Sequence, residues 1–302
     1  MRIVSLLSSA TEIVFELGLQ DHLVGISHEC DWPPEALHLP RMSRVRFDPA
    51  GLTSGEIDAE VRRCMLEYGS VYAVDVDALR DARSDLVLTQ AVCEVCAVPT
   101  GSVLDAVAEL PAAPVVASLD AHTLDEIIAS LRQVADAAGE AWRGEAAAER
   151  LRGRVDRVRE AVAGRERPRV LALEWLEPPF APGHWIPEMI EIAGGESLIG
   201  KSGGHSVEIP WAEVEGLDPD RLLLVPCGYD LEASRADADR ARETLHRIAP
   251  RAVGAGDAAV GHSAYFSRSG PRVVAGIEAL AAWLHPQAGI AAPEPGILEG
   301  WR

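Results

Sequence analysis

Lysine is almost missing from this chain of 302 residues: Lys201 stands alone, and arginine supplies the rest of the 28 basic residues. Basic charge is scarce overall, because 47 acidic residues leave a formal net charge of −19. A surface of that sign repels phosphate backbones, so nucleic acid is not an expected partner. No run reaches the ~18 apolar residues of a membrane span, so no membrane insertion is expected. The start lacks the basic, apolar and small-residue segments of a secretory signal. Arg2 leads straight into a short β-like run and the polar Ser8-Ser9-Ala10-Thr11-Glu12 stretch, and a cytoplasmic protein is expected. Cysteine is sparse and odd in number (Cys30, Cys64, Cys93, Cys96, Cys227), which speaks against a disulfide framework.

What is present is the composition of a folded protein, with 48% hydrophobic and 25% charged residues. The length suits about two domains of ~150 residues each. Short apolar runs alternate with helical patterns. Strands are expected at Arg2–Leu7, Leu23–Ser27, Leu86–Gln90 and Pro114–Leu119, with helices at Ala10–Leu17, Glu56–Tyr68, Asp77–Ala82 and Val103–Leu110. Ser9 or Thr11 is the expected cap of the first helix. From Thr123 to about Gly164 an Ala-, Arg- and Glu-rich stretch reads as a long helical spine, capped by Asp120 or Thr123. Alternation then resumes. Strands are expected at Arg169–Leu173, Arg221–Val225 and Ala252–Ala255, with helices at Ile186–Ala193, Trp211–Val214, Arg235–Ile248 and Pro271–Leu284. The tail from His285 reads as coil. The fold class is α/β, two doubly wound (Rossmann-like) lobes joined by a long helical spine, with a ligand cleft between them. The expected divisions are a lobe over 1–122, the spine over 123–167, a lobe over 168–285 and a tail over 286–302.

Ligands of parallel α/β sheets bind beyond the carboxyl ends of the strands. Unusual residue types concentrate there in both halves: Ser8, Ser9 and Thr11; His28, Glu29 and Cys30; Gln90, Cys93, Glu94 and Cys96; Glu174, Trp175, Phe180, His184 and Trp185; Cys227 and Tyr229; Tyr265, Phe266 and Arg268. If those edges face each other they form one cleft. Its aromatic residues can stack on a flat ligand or simply pack. The Ser8–Glu12 turn offers amides and hydroxyls at a helix start, or merely caps that helix. His28 with Glu29, and Glu174 with His184, are acid–base candidates or hydrogen-bonded loop anchors.

Cys93-x-x-Cys96 is a metal half-site, a redox pair or packing, with His28, Cys30 and His184 able to converge on it across the cleft. Zinc or iron would be the metal. Gly195–Ser202 matches G-x-x-x-x-G-K-S/T, but a helix precedes it where the phosphate-binding mechanism needs a strand, so a plain glycine-rich loop is the better reading. Nothing resembles a nucleophile elbow or a serine triad, and a binding protein is expected rather than an enzyme.

The opening RIVSLLSSATEIVFELGLQDHLVGIS, with Ser84–Gln90 and Ser267–Arg272, resembles the periplasmic-binding-protein family of the single-helix-hinge type. HECDWPP, CEVC and GHWIPEM are similar to a leaderless B12-binding-like subgroup. The resemblance implies a small-molecule ligand held between the lobes, such as a corrinoid (cobalamin-like), haem or another metal chelate. It also implies contact with an ABC permease, and a role for His28 or His184 as an axial or amide-binding group. The alternative is a cytosolic metal-binding protein or enzyme using Cys93, Cys96 and His28.

Overall fold

The structure is a computed structural model that describes residues 1–91, 98, 100–291 and 293–302. Cys93, Glu94 and Cys96 lie outside the described residues.

The first lobe runs β1 (Ile3–Ser5), α1 (Ser8–Glu16), β2 (Leu23–Ile26), β3 (Ser43–Val45), α2 (Ser54–Tyr68), β4 (Tyr72–Val74), α3 (Val76–Ala82), β5 (Leu86–Thr89), α4 (Thr100–Ala108) and β6 (Val115–Ser118). Its main sheet has the order β2-β1-β5-β6, all parallel, while β3 and β4 pair antiparallel beside it. Ile3, Val4, Leu86, Val87 and Leu88 are buried on both faces of that sheet, which is why these strands read as unbroken apolar runs. The chain goes from β1 to β2 on one side and then to β5 on the other. That reversal opens a crevice between the ends of β1 and β5.

The second lobe repeats the logic. It contains β7 (Arg169–Leu173), the hairpin β8 (Trp175–Leu176) and β9 (Pro179–Ala181), α7 (Ile186–Ile192), β10 (Glu196–Ser197), β11 (Val207–Glu208) and β12 (Arg221–Leu224). Then come α8 (Leu231–Arg240), α9 (Arg242–Ile248), α10 (Pro250–Ala255), β13 (Ala258–Gly261), α11 (Ser263–Phe266), α12 (Val273–Leu284) and β14 (Leu298–Trp301). The sheet order is β10-β7-β12-β13-β14, and only β14 runs antiparallel. Here the reversal lies between β7 and β12.

The helical spine between the lobes is two helices, not one. Its parts are α5 (Leu124–Ala137) and α6 (Ala141–Val162), folded into a hairpin. Thr123 does cap the first, in a reciprocal capping box with Glu126. Gly144 explains how close the two helices come. A Cβ there would sit 2.8 Å from the Ala135 Cβ and 2.8 Å from the Arg132 Cα. The apolar stripe Ala147, Ala148, Leu151, Val155, Val158 and Val162 is buried. It joins residues of the first sheet, the hairpin, α7 and α12 in one continuous core. Separate clusters fill the far faces of the two sheets. Arg154 adds a two-pronged pair to Glu278 on α12, at 2.9 and 2.6 Å.

Other expectations are corrected. Helix α1 starts at Ser8 after Leu7, with no side-chain cap, because the Ser9 and Thr11 hydroxyls are engaged elsewhere. Ala252–Ala255 ends helix α10 instead of forming a strand; Pro250 suits a first helical turn, and the strand starts at Ala258. The Arg235–Ile248 stretch is two helices meeting at Ala241. Gly195–Ser202 follows α7 and carries β10, without the strand–loop–helix order of a phosphate loop. The tail is not coil to its end: β14 completes the second sheet, and Trp301 is fully buried with its indole N–H donating to Asp239 at 2.9 Å. Among the described residues no helix is long and apolar enough to cross a membrane.

Removing that indole empties a core site and leaves Asp239 with Arg242 as its remaining donor. Trp301→Ala is expected to cost about 3–5 kcal/mol, by the usual cost of truncating a buried Trp. Urea unfolding checks it, and an unchanged midpoint would show that the tail strand does not dock in solution.

Candidate functional site

The loops that leave the strand ends of the two lobes meet each other. Ser9 shares a 3.2 Å hydroxyl contact with Ser269 across the boundary. Arg268 donates to both carboxylate oxygens of Asp31, at 2.5 and 2.8 Å, in the bidentate geometry that favours arginine. Arg272 donates to Glu12 at 2.5 Å, and Arg268 lies 3.7 Å from the same oxygen. Farther along, the Ser54 hydroxyl at the start of α2 donates to Asp237 of α8 at 2.9 Å. Beside the hairpin, the Leu124 amide donates to Glu188 of α7 at 3.0 Å.

Burial and charge compete in this boundary. Glu12 is buried, and desolvation pushes its carboxyl above the usual range against the pull of Arg272 and Arg268. Burial also pushes Asp31 upward, but the hydrogen bond from Arg268 and the charges of Arg268 and Arg272 outweigh it and hold Asp31 below the usual range. A cavity of about 300 Å³ is lined by Glu12, Trp32, Arg154 and Arg272, among others. It is at the small end for a ligand pocket.

The expected site residues divide into groups. His28 stands at the end of β2, its Nδ1 2.8 Å from the Ser43 hydroxyl and its Nε2 3.1 Å from Glu29. Its ring packs 4.9 Å from that of Tyr72. The Ser8 hydroxyl donates to the Glu29 carbonyl at 2.9 Å. Gln90 is buried at the end of β5. Thr11 donates to Ser5 and lies 3.1 Å from the Cys30 sulfur. Burial pushes the Cys30 thiol up to about 11, so it stays protonated and is a poor metal ligand, contrary to the convergence expected of it. In the second lobe Trp175 and Tyr229, from the loops either side of the sheet's reversal, pack at 5.1 Å, and Phe180 pairs with Trp175 across the β8–β9 hairpin. Burial pushes the Tyr229 phenol up to about 12, keeping it neutral. The N-terminus of α2 overhangs this hairpin: a Cβ on Gly55 would lie 3.2 Å from Glu177.

Two aromatic candidates belong to the core. Phe266 is fully buried, and Trp185 is buried with its indole N–H donating 2.6 Å to the Phe266 carbonyl. Both follow strand ends in sequence, but both rings belong to the shared core, that of Phe266 lying against Gly261. Tyr265 is also buried, stacked against Arg272 at 5.0 Å.

His184 does not join His28. It gathers with His122 and His205, which sequence reasoning missed, and their ring centroids are 5.6 Å apart in all three pairs. Burial, aided by the two neighbouring imidazoles, lowers the His184 pKa to about 4, so its ring is neutral at neutral pH. Glu174 is bonded as the loop-anchor reading expects. One oxygen accepts from the Gly183 amide at 3.0 Å, and the other accepts from the Ser206 hydroxyl. His122 and His205 are separated from each other and from His184 by stretches with no ligand spacing, so no sequence signal marked them.

The Periplasmic binding protein family model matches residues 3–246. The vitamin B12-binding protein of Vibrio cholerae serotype O1 is 25% identical over 217 residues, 70% of this chain and 64% of the relative's length. In fold, the chain is similar to a periplasmic haem-binding protein from Pseudomonas aeruginosa (TM-score 0.74, 20% identity, 100% of this chain and 98% of that one). It is also similar to the periplasmic vitamin B12-binding protein of Vibrio cholerae (TM-score 0.68, 20% identity, 94% and 96% covered).

The Asp31–Arg268 pair gives the boundary an acid response. A carboxyl whose folded pKa lies below its unfolded value, near ~3.9, stabilises fully above that value and loses the stabilisation as pH falls through the folded one. Asp31→Asn is expected to flatten the stability profile below about pH 4 and to cost about 1 kcal/mol at pH 7, the scale of a partly exposed pair. Urea midpoints at both pH values check this; parallel profiles for the two proteins would show that the pair contributes no acid response.

Proposed function

This chain belongs to the periplasmic binding protein family, and we propose that it is a substrate-binding protein that takes a corrinoid or haem-like metal chelate between its lobes for an ABC importer. The observation that carries the reading is the placement of the two sheet reversals. The loops after β1 and after β7 and β12 are brought to one boundary between the lobes, where α/β folds bind ligands. The second lobe brings two partly buried rings to that boundary, Trp175 and Tyr229, tilted 50° to each other, and the first lobe brings hydrogen-bonding groups at His28, Glu29 and Ser8. Such a combination suits a large planar ligand with polar side arms.

The similar proteins support the class of ligand. The curated relative from Vibrio cholerae is named for vitamin B12, and one structure of similar fold is a haem-binding protein holding two haems (TM-score 0.69, 21% identity, 95% of this chain and 99% of that one). A ligand of that size needs the lobes to part at Asp31–Arg268 and Ser54–Asp237, the contacts that now close the boundary. The hairpin that joins both lobes in one core favours a small rocking motion about its own axis over a wide hinge swing.

Absorbance titration with cyanocobalamin, cobinamide and haemin tests the proposal. At least one is expected to bind stoichiometrically at micromolar concentration or below. Trp175→Ala is expected to weaken it about tenfold, equivalent to about 1.4 kcal/mol of lost stacking and burial. Absence of binding by all three removes the reading.

A further inference from the structure

Three imidazoles from distant parts of the sequence converge at the edge of the boundary nearest the helical hairpin. His122 lies between β6 and the capped start of α5; His184 and His205 lie on the two sides of a loop in the second lobe. Each offers a ring nitrogen, and the three nitrogens lie within 4.8 Å of one another. Among the described residues this is the one group of three such side chains so placed. We propose that His122, His184 and His205 bind a single divalent transition-metal ion of the zinc and cobalt class, and that the ion clamps the two lobes together.

The backbone is arranged to hold these rings. The His184 amide donates to the Gly204 carbonyl at 2.5 Å, and the Gly203 amide donates to the His184 carbonyl at 2.8 Å. That reciprocal pair fixes His184 one residue from His205's own peptide. Gly183 has room for no side chain, since a Cβ would lie 2.2 Å from the Ser206 amide nitrogen, so the two strands of the loop touch. His184 itself adopts φ +50°, a left-handed conformation that a non-glycine residue takes only when its surroundings impose it. On the other lobe, the His122 and Thr123 amides both donate to Glu126, at 2.6 and 3.0 Å, and the Leu124 amide donates to Glu188 of the second lobe. The His184 Nε2 is buried and has no hydrogen-bond partner. A buried acceptor or donor left unpaired is costly, and a bound ion would satisfy it.

Coordination geometry decides what kind of ion fits. Zinc–imidazole bonds of about 2.0–2.1 Å place tetrahedral donors roughly 3.3 Å apart, so ring rotations of about an ångström close the site. Three imidazoles and one open position make a common coordination set for late first-row divalent ions. A corrin or porphyrin ring already occupies four equatorial positions of its metal and leaves only opposite axial ones. Three convergent imidazoles therefore suit a free ion, and the site is independent of the chelate proposed for the cleft.

The test uses the full chain with Co²⁺ and Zn²⁺ as probes, in the absence of any chelate. One equivalent of Co²⁺ is expected to develop visible absorption of a low-coordinate nitrogen site, and Zn²⁺ is expected to displace it. His205 is exposed, so His205→Ala leaves the core untouched; it and His122→Ala are each expected to weaken Co²⁺ binding at least tenfold. The pair Cys93→Ser with Cys96→Ser is expected to bind Co²⁺ as the unaltered protein does. Loss of binding in that double variant, or equal binding in His205→Ala and the unaltered chain, overturns the proposal. The clamp is read by melting temperature, which Zn²⁺ is expected to raise in the unaltered chain but not in His122→Ala. Equal rises in the two proteins overturn the bridging role.

Discussion

The close packing of the two helices over Leu124–Ala137 and Ala141–Val162 sets the geometry of everything else. Gly144 lets their backbones meet, and the apolar stripe of the second helix then has one face for the first lobe and a continuation for the second. Burying that stripe in either lobe alone would leave apolar area in water, at roughly 25 cal/mol for each Å². The lobes are therefore not beads on a linker. They share a core, and their relative orientation is fixed by packing before any ligand arrives.

That orientation explains why polar chemistry gathers where it does. With the hairpin along one side, the carboxyl ends of both parallel sheets must point across the same boundary. Charges there come in pairs: buried Glu12 with Arg272, and the more exposed Asp31 with Arg268. The two carboxyls are perturbed in opposite directions because their surroundings differ. Glu12 has lost nearly all its water, so desolvation dominates, whereas at Asp31 desolvation is outweighed by the bidentate hydrogen bonds and charge of Arg268 together with the charge of Arg272. Breaking the exposed pair costs less than breaking the buried one. Opening would therefore begin at Asp31.

Much of this was legible in the sequence because it rests on local pattern. The runs Arg2–Leu7, Leu86–Gln90, Arg169–Leu173 and Arg221–Val225 announce parallel strands buried on both faces, and the residues after them announce the boundary. Thr123 with Glu126 is readable as a helix start from four residues alone. The misses share a different cause. Ser9 and Thr11 look like caps locally, but distant Ser269 claims the first hydroxyl and Ser5, at the end of β1, the second. The last strand has only Leu298 to Trp301 to advertise it, and it forms because the edge of β13 is there to receive it. Phe266 and Trp185 follow strand ends as ligand-stacking residues would, yet both are core residues: the Phe266 ring lies against Gly261, and the Trp185 indole is bonded to the Phe266 carbonyl.

The three histidines mark the limit of sequence reading more sharply. Metal sites are recognisable in sequence when ligands share a helix or a hairpin, because spacing then encodes geometry. His122 and His184 sit on different lobes, and His205 reaches His184 only through a loop whose shape depends on Gly183 and on Glu174 bonding both of its strands. Glu174, standing directly after a central strand, reads either as an acid–base carboxylate or as a loop anchor. Its two oxygens accept from Gly183 and Ser206 and so tie the two sides of the loop together. A residue's place at a strand end thus says that it acts at the boundary, but the hydrogen bonds around it decide whether it meets a ligand or positions the side chains that do.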